Sequence, residues 1–453
     1  MAPVDVLVLP ERKTLLDRFL GLAADVRPGE GGAAVLMAVN GFLLLAAYYT
    51  IRPVRSALLL PVEVSLPGGG TLRGPEIQAY SGAVLALLFL FIVPLYSRIA
   101  SSIDRIRLIN TVTLFFVANL IGFFIFGQAN TAPAVLGVTF FLWVGIFNLM
   151  VMAQFWSFAN DLYTTEQGKR LFAIVGFGGS VGAVAGALIT SVLIRRLGTS
   201  PMMLVAAAFL VMGMLLSNLI HRRDQRQGPS KQRSESPSRE LLGKAGGFQL
   251  VLRQRYLLLI GLLTFTVQIV NTNGNYILNE TVVQTLQSSV DIGVFMAGMD
   301  FWQNVLSLAI QFFLVSRIFK YLGIGGALFV LPALALGSYS LIALMPVLSL
   351  IRVTKIAENA TDYSLQNTLR RALFLPTSRD AKYKALQAVE TFFWRAGDML
   401  SAVLTFVVVQ WLALSVRGYA AVNLGIVLLW LVIAVKLYRE NRRLTQEAEA
   451  VAA

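Results

Sequence analysis

The sequence holds no cysteine and a single histidine in 453 residues, and only 14% of those residues are charged. Without cysteine there is no thiolate nucleophile, no disulfide and no Cys-ligated zinc or iron–sulfur site. One imidazole, His221, excludes His-cluster metal centres, and its basic loop predicts a solvated role. No Walker A pattern occurs, which argues against an ATPase. No metal, no cofactor and no enzymatic site are therefore expected. Met1–Glu30 is mixed in charge and lacks a cleavable signal pattern, although Leu15, Leu16, Phe19 and Leu20 suit a short amphipathic helix on a membrane surface. What fills the chain instead is apolar: 56% of it is hydrophobic. Soluble proteins average about 45–50% apolar and about 25% charged residues. Long apolar runs such as Ser81–Pro94 and Leu424–Val435 read as pieces of membrane helices, each needing ~20 residues.

Twelve spans are predicted: Ala33–Leu60, Ile77–Tyr96, Leu108–Gly127, Ala134–Asn160, Leu171–Ile194, Met202–Ile220, Tyr256–Asn279, Gly293–Ser316, Leu322–Leu341, Pro346–Leu369, Ala385–Leu414 and Ala421–Leu437. The fold class is thus an all-α polytopic membrane protein with two pseudo-symmetric six-helix halves. Its parts are an N-terminal segment 1–32, a first bundle 33–220, a basic linker 221–255, a second bundle 256–437 and a tail 438–453. Of 38 Lys and Arg, 29 fall in the tails and in loops on one side. Only Arg73, Arg195, Arg196 and Arg417 fall on the other. The positive-inside rule places both termini and the linker in the cytoplasm, in a multi-pass inner-membrane protein. The net charge of +14 is therefore topology signal rather than a nucleic-acid surface. A faint repeat supports the halves: Ser157–Leu162 and Ser364–Leu369 share S-x-x-N-x-L, followed by Lys169-Arg170 and by Lys382-Tyr383-Lys384. Two six-span halves are common in secondary transporters.

Five basic residues (Arg52, Arg55, Arg352, Lys355, Arg395) and five acids (Asp300, Glu358, Asp362, Glu390, Asp398) remain inside the spans. Each costs ~2.5 kcal/mol or more at the bilayer centre unless it faces water or a partner. In the tenth span Arg352, Lys355, Asn359, Asp362 and Gln366 share one helical stripe. That stripe predicts a cavity wall; the alternative is an ion-pair ladder of Lys355 with Glu358 or Asp362. In the eleventh span Arg395 and Asp398 are one turn apart, near Glu390, as a substrate contact, a lock or a gate pair. The first span ends in Tyr48-Tyr49-Thr50-Ile51-Arg52-Pro53-Val54-Arg55, where Pro53 predicts a kink and the arginine forks suit phosphate or carboxylate. The alternative there is snorkelling to headgroups. Gln268, Asn271 and Asn275 line one side of the seventh span and Asp300, Gln303, Asn304 and Gln311 mark the eighth, as ligands or as interhelical glue. Gly178, Gly182 and Gly186, four apart, predict close helix contact rather than a dinucleotide loop.

The chain resembles the ATP/ADP antiporter family of plastids and obligate intracellular bacteria, especially its relatives in free-living bacteria, which sit with or near the major facilitator superfamily. The resemblance rests on Tyr48–Arg55, on Leu114–Phe123, on Gln167–Phe172, and on Lys382–Ala385 running to Trp394–Asp398. It implies nucleotide exchange without hydrolysis. The family's basic residue of the first span corresponds to Arg52 or Arg55, its eighth-span acid to Asp300 and its eleventh-span base to Arg395. Where transporting members carry a fourth-span acid, this chain has only Asn148, Gln154 and Asn160, and Ser56 replaces the acid that follows the first-span motif.

The expected function is secondary active transport of an organic anion, a nucleotide or other phosphorylated metabolite, by alternating access. The expected ligands are Tyr48, Arg52, Arg55, Gln268, Asn271, Asn275, Asp300, Arg352, Lys355, Asn359, Asp362 and Arg395, with Glu358, Glu390 and Asp398 as gating or charge-pair groups. The expected partners are the bilayer and the small anion, with no nucleic acid, for a monomeric chain. The alternatives are a proton-coupled carrier of another solute and a non-transporting scaffold or sensor.

Overall fold

The computed structural model describes residues 14–21, 24–65, 70–129, 132–226, 247–377 and 384–452. Lys382 and Tyr383 of the repeat, and the middle of the basic linker, lie outside the described residues. A short helix α1 (Leu15–Leu20) precedes six long ones: α2 (Gly31–Leu59), α3 (Gly74–Ser102), α4 (Arg105–Ala129), α5 (Pro133–Leu162), α6 (Thr165–Leu197) and α7 (Pro201–Arg226). After α8 (Gly247–Arg253) come α9 (Arg255–Thr285), α10 (Ser289–Ala309), α11 (Val315–Ala327), α12 (Val330–Leu344), α13 (Leu348–Thr361), α14 (Asn367–Ala372), α15 (Leu386–Ala388), α16 (Trp394–Phe406) and α17 (Val416–Ala452). Among the described residues, π-helical turns interrupt this second stretch at Ile310–Leu314, Asp362–Gln366, Val389–Phe393 and Val407–Trp411.

Among the described residues, ten helices are long and apolar enough to cross a membrane, and Val330–Leu344 is a shorter apolar one. Proline in the first turn starts α3 and α5, where its missing N–H costs nothing. Thr164 and Gln167 form a capping box at the start of α6. Pro53 sits inside α2 without ending it. The ninth expected span departs from its predicted start: Gly323, at φ +68°, breaks α11, and a turn at Leu328–Phe329 precedes α12. The all-α expectation also missed an antiparallel hairpin, β1 (Glu63–Ser65) with β2 (Thr71–Arg73), pairing Glu63 with Arg73.

One apolar cluster runs through residues 251–437 with Leu60 added; the other clusters lie between Val26 and Ile220. Large apolar side chains such as Leu90, Phe91, Phe126 and Phe313 stay exposed on the outer faces of the helices, as lipid-facing positions do. Small residues and polar pairs do the inner joining. A Cβ at Gly178, Gly182 or Gly186 would run into the backbone carbonyl of Ala38, Phe42 or Ala46 in turn, so α6 lies directly on α2. The packing reading of these glycines is thereby met. Asn40 donates to Gly213 O at 2.8 Å and to Ser217 Oγ at 2.9 Å, tying α2 to α7. Asn273 Oδ1 accepts from Ser401 at 2.6 Å and Tyr419 at 3.0 Å, tying α9 to α16 and α17.

The N-terminal segment is fastened at this end of the bundle. Asp17 Oδ1 accepts from Gly31 N at 3.0 Å, capping α2. Arg170 grips Glu30 with two bonds of 2.8 and 2.9 Å. Burial pushes the Glu30 carboxyl up, but Arg170, the Arg27 amide and Gln167 outweigh it and hold it below its ordinary range. The clamp is therefore in place at neutral pH and opens only as pH falls through that lowered value. Leu15 and Leu16 of α1 are exposed while Leu20 packs on Val26 and Leu171; the side chain of Phe19 lies outside the described residues.

Candidate functional site

A cavity of about 720 Å³ lies between helices from both stretches of the chain. Its walls are Leu45–Arg52 of α2, Asn148 of α5, Phe172–Ala183 of α6, Asn304–Leu308 of α10, the following π turn, Tyr363 and Asn367. These stretches lie toward the end of the bundle that carries the N-terminal segment, since α2 and α6 begin there and α10 ends there. Among the lining residues Arg52 alone is ionised, and none is acidic. Its guanidinium sits 3.2 Å from Asp300 Oδ1 and 5.4 Å from the centre of the Tyr49 ring. Beyond this pair lies a second space of about 90 Å³, lined by Arg52, Arg55, Ser56, Gln78, Asn275, Asn279, Asp300, Gln303 and Asn359 among others. Arg55 lies over Phe141 at 4.6 Å. Among the described residues Arg55 Nε, Gln78 Oε1, Gln303 Nε2 and Asn304 Nδ2 are buried without a hydrogen-bond partner. Buried polar atoms rarely stay unpaired without reason.

The predicted ligands divide. Tyr48 and Arg52 line the large cavity; Arg55, Asn275, Asp300 and Asn359 line the smaller space behind it. The tenth-span stripe does not face the large cavity. Lys355, fully buried, donates to Asn271 Oδ1 at 3.1 Å and Glu358 Oε2 at 3.2 Å. Tyr339 joins the same Glu358 oxygen at 3.1 Å. Asn359 donates to Gln303 at 3.0 Å. Arg352 lies over Phe295 at 5.1 Å. The neighbouring face supplies Tyr363 and Asn367 instead. A stripe drawn at 3.6 residues per turn turns away, because α13 packs that charged face on α9, α10 and α12. The π turn Asp362–Gln366 then alters the helical pitch where the cavity begins.

The eleventh-span charges likewise stand apart from this cavity. Asp398 accepts from Gln268 at 2.6 Å, Thr272 at 3.1 Å and Arg395 at 3.3 Å. Arg395 also lies over Phe89 of α3 at 4.6 Å, across the packed pair α3–α16. This is the geometry of a lock. Glu390 is exposed, not paired in the interior as a span acid was expected to be.

The ligands expected from the sequence do not include Ser180, Ser307, Tyr363 or Asn367, whose small, aromatic or amide side chains carry no charge signal. Asn148, Asn304 and Gln311 were visible only as polar positions. The closure at the opposite end is not among the expectations either. Arg73 Nη1 sits 2.6 Å from Glu280 Oε1, and its Nε 3.5 Å from Glu76. Gln410 donates to Glu76 at 2.5 Å and Gln284 to Glu280 at 2.8 Å. Both acids stand one residue outside the predicted spans, which start at Ile77 and stop at Asn279. The cluster joins the hairpin and α3 to the end of α9 and the last π turn. Replacing Arg73 with Gln leaves the buried Glu280 without its cation and with only the Gln284 amide to satisfy it, and is expected to open this end about tenfold more often. The check is thiol labelling of Ser56→Cys, free of background because the chain has no other cysteine. A labelling rate unchanged by Arg73→Gln would show that the cluster closes nothing.

Comparison with known proteins agrees with this architecture. Residues 157–356 match the Major Facilitator Superfamily. An ADP,ATP carrier protein 1 of Chlamydia pneumoniae is 22% identical over 462 residues, covering 87% of this chain and 88% of that one. Its namesake in Chlamydia trachomatis is 21% identical over 64% of this chain and 62% of its own. Among solved structures, a bacterial homologue of the lysosomal transporter Spinster, inward-facing and unoccupied, aligns with TM-score 0.59 at 13% identity over 93% of this chain and 98% of its own. The nucleoside transporter NupG aligns with TM-score 0.60 at 14% identity over 89% and 98%. The chain is a multi-pass membrane protein with the fold of major facilitator transporters, and is similar over most of its length to the ADP,ATP carrier protein 1 of Chlamydia pneumoniae.

Proposed function

We propose that the protein is a secondary active transporter that exchanges a nucleotide, or another phosphorylated metabolite, by alternating access. One observation carries the reading: the lone ionised group on a 720 Å³ cavity is a cation, Arg52, held by a single acid. That volume lies within the ~300–1,000 Å³ typical of ligand pockets. Tyr48, Tyr49 and Tyr363 offer ring surfaces for a base, and Asn148, Ser180, Asn304 and Asn367 offer hydrogen bonds to a ribose or phosphate. An arriving phosphate takes the Arg52 fork from Asp300, which breaks a contact between α2 and α10 and frees them to move.

Adding α12 and the charged helix α13–α14 to the ten apolar helices makes twelve spans, six before the linker and six after it. In the inner membrane, with both termini cytoplasmic by the charge count, the cavity faces inward and the hairpin end is shut. The chain acts as a monomer, since the cavity is built from one copy. The names of its chlamydial relatives support nucleotide exchange as the first substrate class to try.

The test is counterflow in proteoliposomes holding the purified chain and preloaded with ATP, ADP or a sugar phosphate. Labelled ATP or ADP is expected to accumulate against unlabelled nucleotide, and the uncharged nucleoside to be ignored. Uptake that is equal with and without internal phosphate compounds would overturn the reading.

A further inference from the structure

Behind α13, away from the large cavity, lies a space of about 20 Å³ walled in part by Asn271, Ala335, Glu358, Asn359, Asp362 and Trp430. It is the size of one water molecule or one bare ion. Glu358 and Asp362 are each 5% exposed and stand one helical turn apart. Glu358 gives Oε2 to Tyr339 and Lys355, but its Oε1 has no partner among the described residues, and neither has Asp362 Oδ1. An ionised carboxylate kept from water without a donor is costly.

The charges that reach Asp362 are Arg370, Lys355 and Glu358, all on its own helical run. Lys355 is committed to Glu358 and Asn271. Arg370, eight residues on, is the charge that acts on Asp362 most strongly, but it does so without a direct contact among the described residues. Its guanidinium is stacked on Trp394 at 4.6 Å. Among the described residues the neighbouring helices present uncharged groups here: Asn271 from α9, Tyr339 from α12, Trp430 from α17, and Gln303 from α10 through Asn359. The one lysine makes its contact with Glu358, so Asp362 feels Lys355 and Arg370 only across a gap.

We propose that this space is a binding site for one small monovalent cation, a sodium ion or a proton, taken up by Glu358 Oε1 and Asp362 Oδ1. The shared chemistry is neutralisation of the second carboxylate. The site stands on its own geometry. Its role as a coupling site rests on the transport reading: Tyr363, next to Asp362 in the same π turn, lines the large cavity, so one helix meets both ion and substrate.

The experiment uses the purified full chain in detergent. Sodium chloride, against choline chloride at equal ionic strength, is expected to raise the melting temperature saturably, by about 3 °C at 100 times half-saturation. Asp362→Asn removes the charge that needs neutralising and should fold without sodium while losing the response. Ala335→Val, which fills the space and leaves both acids in place, should lose it too. If the cation is a proton, sodium does nothing, and infrared difference spectra across pH show a protonated carboxyl band. That band shifts with carboxyl-¹³C aspartate, vanishes in Asp362→Asn and survives in Ala335→Val. No response of either kind in the wild type, or one retained by Asp362→Asn, overturns the proposal. Lost counterflow with an intact cation response sinks the transport reading alone; intact counterflow without a cation response sinks this site alone.

Discussion

Nucleotide counterflow by Arg52→Gln is expected to fall about 100-fold or more below wild type, with the protein still folded. The expectation follows from what surrounds the guanidinium. Among the described residues it is the one ionised group lining the large cavity, and the next cation, Arg55, lines the smaller space behind it rather than the cavity itself. Truncating one partner of a buried, hydrogen-bonded charge pair costs about 2–5 kcal/mol, which brackets 100-fold. Part of that loss is Asp300, left beside the anion's path without its contact partner and with only Arg55 nearby to offset its charge. Arg52→Gln with Asp300→Asn should therefore recover part of the lost exchange, since the second change removes the repulsion. Arg352→Ala and Lys355→Gln serve as contrasts. Both sit outside the large cavity, so they should alter stability more than affinity. Arg52→Gln exchanging at the wild-type rate would remove the basis for anion recognition in this cavity.

Gly182→Val is expected to abolish correctly assembled protein, seen as loss of the monodisperse peak in fluorescence-detected size exclusion. The new Cβ collides with backbone atoms of Phe42 rather than with the end of a mobile side chain. Backbone cannot step aside without separating α2 from α6, and that contact positions Tyr48 and Arg52 against Ser180 and Ala183. Overpacking a core normally costs about 1–3 kcal/mol, and a collision with main chain belongs beyond that range. Gly122→Ala is the control. A Cβ there meets open space, and alanine's better helix propensity, up to ~1 kcal/mol over glycine, should leave the peak intact or improve it. A Gly182→Val protein that assembles and melts like wild type would show that α2 and α6 have more freedom than their spacing indicates.

Helix order and the resemblance to the ADP,ATP carriers were readable from the chain, because apolar runs and short motifs are local properties. The site was readable only where charge and position coincided. Arg52 is a costly cation far inside an apolar segment, and that anomaly pointed at the cavity. The same logic over-reached at Lys355 and Arg395. A charge stripe shows that a helix face must be satisfied, but not whether water or another helix satisfies it. Lys355 found Glu358 and Asn271; Arg395 found Asp398 and Phe89. Glu76 and Glu280 were missed for the opposite reason. One residue of error at a span boundary turned two buried acids into apparent loop residues, and only the fold brings Arg73 to both. Tyr363 and Asn367 were illegible because helical pitch was taken as constant through Asp362–Gln366.

Those π turns carry a mechanical consequence. Those described all lie after residue 309, and among the described residues the helices before residue 227 hold none. Wider turns have slacker hydrogen bonding, so compliance is concentrated in one side of the molecule. The stretch through α7 should behave as a stiff lever, with flexure confined to α10–α11, α13–α14 and α15–α16. Backbone amide exchange would then be faster at those joints than in α2 and α6.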